Sequence, residues 1–574
     1  MNPSDGGTRL RVAADLLLWT VILAATAGLI EGVALGIADA AGFIAWVSVD
    51  HIWQAPVANV LLIGAVAVPL AVAAWVMPPA WRWFLMAPAS LAALGLVFLA
   101  VHYKLAFWAQ AILSLGIGYQ IARFIEPRRY KWRGKAVASV ALLAFAVAAS
   151  VIGVRMDRVR AGGANSVRTE ESRPSFLLVV LDAVRASSLG AYGYERPTSP
   201  VLDKLAARGV MFEQAFTTAP WTLPSHGSMF SGRWPFELRT GWRRGVPDSI
   251  PLLAEFMRSN SYRTGGFTGN LLYTTEASGF NRGFDRYESF PNTLKQFLLA
   301  PALAQLLWQR HLHFRSARRL SDRTSASTVT RRFLDWVGTE QRPFFAFLNL
   351  YDAHEPYEPS PVWRNRFQSA DTRIDLYDAS IAEQDSVLGA MLDSLDARGL
   401  LSRTIVLITA DHGELLGEHG IHGHGNSLYA EELRVPLVIA GPGIPMGRRV
   451  QATVSLRDVA ATVVQLTNQS GAPFPGTTIS HYWNDTTQGT VTSPAYSEVE
   501  PAPGVEPDSP LAGGPLRSLV SFPYRAVEHV DGRIELYDLE KDPGEERDLS
   551  SDVTLADTLA LMRRRLDAIR RWPW

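Results

Sequence analysis

Charge is spread so unevenly along this 574-residue chain that two kinds of structure are required. Residues 1–155 hold only 11 Lys or Arg and 6 Asp or Glu, and the remainder holds 44 and 49. Five apolar stretches in the first part approach the ~20 residues a helix needs to cross a bilayer. They run over about Leu16–Ala38, Val57–Met77, Trp83–Val101, Leu105–Ile125 and Ala136–Val154. A five-span helical membrane domain over 1–155 is therefore expected. The first stretch is too long for a cleavable signal and more spans follow it. Trp46, Trp53, Trp75, Trp81, Trp83 and Trp108 fall near span ends, where interfacial aromatics belong.

Loop charge sets the expected orientation. Arg128, Arg129, Lys131, Arg133 and Lys135 form the densest basic cluster of this half and mark the cytoplasmic face, together with Arg9 and Arg11. Five spans then place everything after Val154 outside, as a multi-pass plasma (inner) membrane protein with its soluble part on the extracytoplasmic face. Glu31 stands inside the first span. A carboxylate at that depth is costly and invites a functional reading; the plain reading places it near the outer interface or protonated among neighbouring helices.

The second part has the texture of an α/β domain. A polar linker, assigned to 156–175, leads into Phe176-Leu-Leu-Val-Val-Leu-Asp182, a continuous apolar run that suits a buried parallel strand. Phe344–Tyr351, Thr404–Ala410 and Pro436–Ala440 repeat it, and Val201–Arg208, Ile250–Ser259, Ser325–Val337 and Tyr377–Arg398 read as helices. A mostly parallel central sheet over 176–500 follows. A Pro/Gly-rich connector at Glu498–Pro515 then precedes a small C-terminal subdomain over 501–574. That subdomain is expected to hold strands at Tyr524–His529 and Arg533–Tyr537 and a helix near Thr554–Arg571. Whole-chain charge balances at zero and no basic–aromatic interleaving occurs, which removes nucleic acid as a partner. The chain has no cysteine, so disulfides, thiolate metal sites and a cysteine nucleophile are excluded.

Chemistry in such sheets collects at the carboxyl ends of strands. Asp182, His354 and Asp411-His412 all follow strand ends, and four of the twelve histidines, His412, His419, His422 and His424, crowd into one short stretch. Thr222 precedes Pro224-Ser-His226 at what reads as a helix start, where the dipole favours an alkoxide and an anionic ester. A threonine needs a metal or a base to become a nucleophile. Asp182, Asp411, His412 and the Thr222 oxygen could ligate one divalent ion. A single imidazole among carboxylates favours Mn²⁺ or Zn²⁺ over Ca²⁺. The plain alternative for Thr222 is a helix N-cap.

These residues lie in an ordered series of motifs. It runs through Leu-Leu-Val-Val-Leu-Asp-Ala-Val-Arg185, Tyr192-Gly-Tyr, Leu202-Asp-Lys-Leu-Ala206 and Gly209-Val-Met-Phe212. It continues with Thr222-Leu-Pro-Ser-His226, Asp352-Ala-His354-Glu-Pro-Tyr357 and Thr409-Ala-Asp411-His412-Gly-Glu414, then Arg434-Val-Pro-Leu437, Gly441-Pro-Gly443 and Leu536-Tyr-Asp-Leu-Glu-Lys-Asp-Pro543. The series resembles the sulfatase-like branch of the alkaline-phosphatase superfamily. That branch includes sulfatases, phosphonate monoester hydrolases, lipoteichoic-acid-synthase-like enzymes and phosphoethanolamine transferases. The resemblance implies an alkaline-phosphatase-like fold, Thr222 as nucleophile, and Asp182, Thr222, Asp411 and His412 as metal ligands. It further implies that His354 and His424 contact the ester or protonate the leaving group. His226, where sulfatases have Arg, and Arg185 join the substrate-binding set.

Two departures shape the function the resemblance implies. Sulfatases oxidise Cys or Ser at the nucleophile position to formylglycine, and threonine could give only a ketone. They also tend to carry a second Asp where this chain has Ala183. Both departures resemble the envelope phosphotransferases, although those usually have Glu at the position of Asp182. The expectation is a membrane-anchored, metal-dependent hydrolase or transferase acting on phosphate esters of envelope components, its substrate a lipid or glycan head group presented at the bilayer. Sulfate-ester hydrolysis without formylglycine and a non-catalytic binding protein of the same fold are the alternatives.

Overall fold

The computed structural model describes residues 3–40, 51–77, 80–101, 105–142, 144, 173–242, 244–289, 298, 301–304, 306, 323–339, 342–471, 473–484, 494–502 and 509–570. Two compact units divide the chain: one joins Met1–Gly163 to Pro291–Asp322, the other joins Ala164–Phe290 to Arg323–Trp574. Residues 291–322 interrupt the second unit in sequence but belong to the first. The linker expected at 156–175 lies mostly outside the described residues.

The first unit is built on helices α1 (Pro3–Ala40), α2 (His51–Val76), α3 (Trp81–Val101) and α4 (Phe107–Ile125), with 129–142 also helical. Three of them are long and apolar enough to cross a membrane: Arg9–Ile37, Ile52–Val76 and Trp81–Val101. α4 occupies the fourth expected span but is less apolar, because it carries Gln110, Gln120 and Arg123. The fifth expected span, 136–154, falls largely outside the described residues. Successive helices run up and down. Gly28 of α1 meets Ala55 and Pro56 of α2, and Gly118 of α4 meets Ser90 of α3, each so closely that a Cβ on the glycine would collide with backbone.

The ends of this bundle hold separate cores. At one end the start of α1 (Val12, Leu16), the end of α2 (Ala74), the start of α3 (Trp81, Leu85) and the end of α4 (Ile125) pack with Trp132 and Ala136. Arg133 reaches buried Asp15 there at 3.2 Å. At the other end Ala24, Ala27, Ile63, Ala92 and Phe98 pack with Ala302, Leu303 and Leu306.

The second unit contains strands β1 (Ser175–Leu181), β2 (Val210–Phe216), β3 (Arg263–Thr268), β4 (Arg286–Glu288), β5 (Phe344–Leu350), β6 (Thr404–Thr409), β7 (Leu415–Leu416), β8 (His422–Gly423), β9 (Leu437–Ala440), β10 (Arg448–Ser455), β11 (Ala495–Val499), β12 (Leu516–Ser521), β13 (Tyr524–His529) and β14 (Ile534–Asp538). Eight form the central sheet in the order β10-β2-β9-β6-β1-β5-β3-β4. Every pairing is parallel except those of β9, which runs against β6 and β2. β1, β5 and β6 are buried at every residue, as continuous apolar runs in the middle of such a sheet must be. The pairing of β1 with both β5 and β6 brings Leu181 level with Leu350, and Val180 level with Thr409. The carboxyl ends of the three strands that carry Asp182, Asn349 and Asp411 are thereby set side by side.

A second sheet, β11-β12-β13-β14, is fully antiparallel. Because β11 begins at Ala495, this sheet straddles the expected boundary at 500. The helix Ala556–Ile569 covers it with Met562 and Leu566 against Leu519, Ala526 and Leu536. Arg525 and Glu545 pair inside it with both side chains fully buried. Ser518 Oγ accepts from Arg525 Nε at 3.0 Å, and Glu545 accepts from the Ala430 amide at 2.7 Å.

A buried pair destabilises far more when halved than when wholly replaced. Glu545→Leu should therefore lower the unfolding free energy by ~3–5 kcal/mol, and Arg525→Met with Glu545→Leu should recover much of that loss. Denaturant titration of the two variants beside the parent protein measures the difference.

Candidate active site

Four segments converge at the carboxyl ends of the central strands. Asp182 follows β1, Asn270 lies just beyond β3, Asn349 is in β5, and Asp411-His412 follows β6. The helix Thr222–Ser231 enters from the turn after β2. Its N-cap is Trp221, so Thr222 is the first helical residue and the N-cap alternative does not hold. Pro224 sits in the first turn, where a missing N–H costs nothing. The helix is pinned to the Asp411 loop by Ser225 Oγ, which donates to the Asp411 carbonyl at 2.6 Å and accepts from Thr217 Oγ1 at 2.8 Å.

Asp182, Asp411 and His412 are all fully buried, and one ligand atom from each lies within 4.8 Å of the others. Asn270 and Asn349 each donate to Asp182 Oδ2 at 3.0 Å. The Ala183 and His412 amides donate to Asp411 Oδ1 at 3.2 and 3.0 Å. The second oxygens, Asp182 Oδ1 and Asp411 Oδ2, are buried with no hydrogen-bond partner. His412 Nδ1 pairs with the Gly413 carbonyl at 2.9 Å, which makes it the donor and leaves Nε2 as a lone pair 3.3 Å from Thr222 Oγ1.

Burial dominates the electrostatics. It pushes Asp182 up to about 8, with Asp411 adding repulsion, and pushes Asp411 itself up to about 7. Burial also lowers His412 to about 4, assisted by His424. Two carboxylates forced together in a dry site, each with one oxygen that no hydrogen bond takes, beside a neutral imidazole lone pair, form an O, O, N donor set that fits a divalent cation. Ala183 holds φ at +60°, a left-handed conformation in which its N–H meets Asp411 and its carbonyl accepts from Tyr377 at 2.8 Å.

The histidines separate into two groups. His424 lies 4.2 Å, ring to ring, from His412 and 4.8 Å from His354, so these three form one cluster. Glu414 Oε1 holds His424 Nδ1 at 3.1 Å, Tyr351 stacks on His354 at 4.3 Å, and Trp221 packs against His424. His419 instead stacks on Tyr429, and His422 is exposed in the β7–β8 ribbon. His226 is fully buried on the Thr222 helix among Phe230, Phe280 and Phe347. Its Nδ1 donates to the Thr222 carbonyl at 2.8 Å and burial lowers it to about 4, so it is a neutral prop beneath the Thr222 turn. Arg185 gives its guanidinium to Glu418 at 2.6 Å and to Ser188 Oγ at 2.8 Å. A cleft of about 560 Å³ opens beside Thr222, lined by Trp221, Pro224, Phe236, Arg239, Trp242 and Gly425 among others.

The sequence reading assigned no role to Asn270, Asn349 or Glu414. Asn349 carried a visible signal, since an amide inside Phe344-Phe-Ala-Phe-Leu-Asn-Leu350 must find a buried partner.

Comparison with known proteins agrees with this arrangement. The sulfatase family model matches residues 174–469. The chain belongs to the sulfatase family. Rat (Rattus norvegicus) steryl-sulfatase is 26% identical over 403 residues, which cover 53% of this chain and 68% of that protein. Delta 4,5-hexuronate-2-O-sulfatase of Bacteroides thetaiotaomicron is 25% identical over 448 residues, 69% of this chain and 89% of its own. Phosphonate monoester hydrolase of Agrobacterium radiobacter shares the fold with a TM-score of 0.57 at 20% identity, covering 69% of this chain and 95% of its own. This sulfatase-superfamily member is thus a hydrolase by family, with a set of apolar helices ahead of the residues that the family model matches.

The raised carboxylates give a signed prediction. With no metal present, native Asp182 and Asp411 keep protons that the unfolded chain releases above about pH 4, so stability falls as pH rises toward about 8. A bound divalent cation removes that penalty. The melting-temperature gain on adding Mn²⁺ or Zn²⁺ to chelator-treated protein should be larger near pH 8 than near pH 5. Asp182→Asn with Asp411→Asn should abolish the gain.

Proposed function

We propose that this protein is a membrane-anchored, metal-dependent phosphoesterase or phosphotransferase that works through a covalent phosphothreonine at Thr222. In this reading residues 1–155 anchor it, 176–500 form the catalytic core with 501–574 as its C-terminal part, and the active site faces the extracytoplasmic side of the inner membrane. The observation that carries it is the Thr222 hydroxyl, 3.3 Å from His412 Nε2 on the first turn of a helix, at the family's nucleophile position. Its secondary alcohol cannot become the aldehyde that sulfatases use. An unmodified alcohol on a metal suits phosphoryl transfer, with envelope lipid or glycan head groups as substrates.

Asp182, Asp411, His412 and Thr222 Oγ1 would hold the divalent ion. Such an ion would supply a lowered hydroxyl pKa and a counter-charge for the transferring group, and the Thr222 proton would pass to water before attack. Thr222 Oγ1 then forms a bond to phosphorus as the bond to the leaving oxygen breaks. The N–H groups of Thr222 and Leu223 at the helix start face the incoming anion. His424, oriented by Glu414, gives its proton to the leaving oxygen. In the second half water or an acceptor hydroxyl attacks phosphorus, its proton passes to His424, and the Thr222 alkoxide departs. Asn270 and Asn349 hold Asp182 in place throughout.

Sulfate-ester hydrolysis by unmodified Thr222 is the second reading, favoured by the sulfatases among the relatives. Intact-protein mass spectrometry with Mn²⁺ or Zn²⁺ and a panel of phosphomonoesters, phosphodiesters and sulfate esters decides between them. A phospho-adduct on Thr222 is expected, lost in Thr222→Ala together with roughly 10³-fold or more of turnover. A sulfo-adduct would transfer the assignment to the second reading, and turnover by Thr222→Ala would end the covalent mechanism.

The Glu414–His424 pair makes a separate prediction. Glu414→Gln should cut kcat by about 10²-fold for alkyl esters, whose leaving oxygen needs a proton. For p-nitrophenyl esters, which leave unassisted, it should change kcat little.

A further inference from the structure

Glu31 takes no part in the chemistry above, yet it is buried at 2% exposure inside the first span. Its Oε1 accepts the backbone N–H of Ala302 at 2.7 Å. Ala302 begins a short helical turn, Ala302–Ala304 with Leu306, in a stretch that interrupts the sulfatase domain in sequence. Leu303 lies against Gly95 of α3, where a Cβ on the glycine would sit 3.1 Å from the leucine Cβ. Ala302, Leu303 and Leu306 are all buried with Ala24, Ala27, Ile63 and Phe98.

Two depths agree. Glu31 precedes the end of its span at Ile37, and Gly95 precedes the end of its span at Val101. Both lie under two turns from the same end of the bundle, roughly 9 Å at 1.5 Å per residue. At such a depth the first N–H groups of a helical turn have no intrahelical acceptor and no water. Pro301 has no N–H to satisfy, and the Ala302 N–H is taken by Glu31. A carboxylate in the span thus answers a need of the entering chain.

We infer that residues 301–304 and 306 form a second membrane anchor, set into one leaflet and received by Glu31. The leaflet follows from the bundle. The basic loop at Arg128–Lys135 adjoins the opposite end, where Trp132 and Ala136 pack with Val12 and Trp81. Under the positive-inside rule that end is cytoplasmic, so the anchor enters from the extracytoplasmic face. The sulfatase domain is then fastened to the membrane through its interior as well as through its N-terminal linker.

The inference rests on the membrane-spanning reading of the first unit and is independent of the catalytic chemistry. The chain has no native cysteine, which makes the test clean. Full-length protein in native membranes receives Gly95→Cys with Leu303→Cys, and a site-specific protease site within 164–172. After oxidation and cleavage, the helical fragment and the 173–574 fragment should run as one disulfide-linked species. Adding Glu31→Leu should lose the cross-link, and Glu31→Gln, which keeps an acceptor, should retain it. Helicity of the solubilised variants by far-UV circular dichroism, against the parent protein, reports whether the bundle itself has folded. Without oxidation, the cleaved wild-type 173–574 fragment should stay with carbonate-washed membranes, and Leu303→Asp with Leu306→Asp should release it with p-nitrophenyl ester turnover retained. Failure of the 95/303 pair to cross-link in a variant with the parent's helicity, or release of the wild-type fragment, overturns the proposal. Either result would leave the Thr222 mechanism untouched.

Discussion

Two carboxylates that cannot both be charged in a dry site govern the catalytic unit. Asp182 and Asp411 are brought together because β1 pairs directly with β6, and the sheet order allows no other arrangement of those strand ends. Each has one oxygen tied to amide donors and one left without a partner. An apolar replacement would be cheaper for folding, since buried polar groups without partners cost free energy. The site therefore stores an electrostatic deficit that only a cation or two protons can fill. The surrounding structure fixes where that deficit lies: Asn270 and Asn349 hold one carboxylate, Ser225 ties the Thr222 helix to the other, and His226 props the first turn from below.

Much of this was legible in the sequence because the chemistry sits where simple rules place it. Continuous apolar runs ending in Asp182 and preceding Asp411 gave buried parallel strands with functional ends. The density of histidines after Asp411 pointed to His424. Other parts were not legible because they depend on long-range pairing. β2, β3 and β10 are short or mixed in polarity, and they become strands by finding partners far along the chain. β11 and β12 flank a Pro/Gly-rich connector whose composition hid an antiparallel pair. His226 and Arg185 were read from motif position alone. Position could not show that one is walled in by phenylalanines or that the other is committed to Glu418.

The replacement of a second aspartate by Ala183 has a structural counterpart. At φ +60° the residue turns its N–H toward Asp411 and its carbonyl toward Tyr377. A backbone amide thus serves Asp411 at the position where the family tends to have another carboxylate. One fewer negative group then stands in the cluster, which lowers the charge that a bound cation must balance.

Glu31 and Asp182 obey the same rule in different solvents. Neither carboxylate is explained by its own helix or strand, since both sit in apolar runs that would be more stable without them. Each is accounted for by a donor that arrives from elsewhere in the sequence: the Ala302 amide for Glu31, the Asn270 and Asn349 amides for Asp182. The difference lies in what remains over. Asp182 Oδ1 keeps an unmatched lone pair at the point where chemistry is needed, whereas Glu31 meets an N–H that hydrocarbon would otherwise leave bare. The spare oxygen of Asp182 belongs to the candidate metal site. A buried acid that answers an incoming backbone group marks a joint.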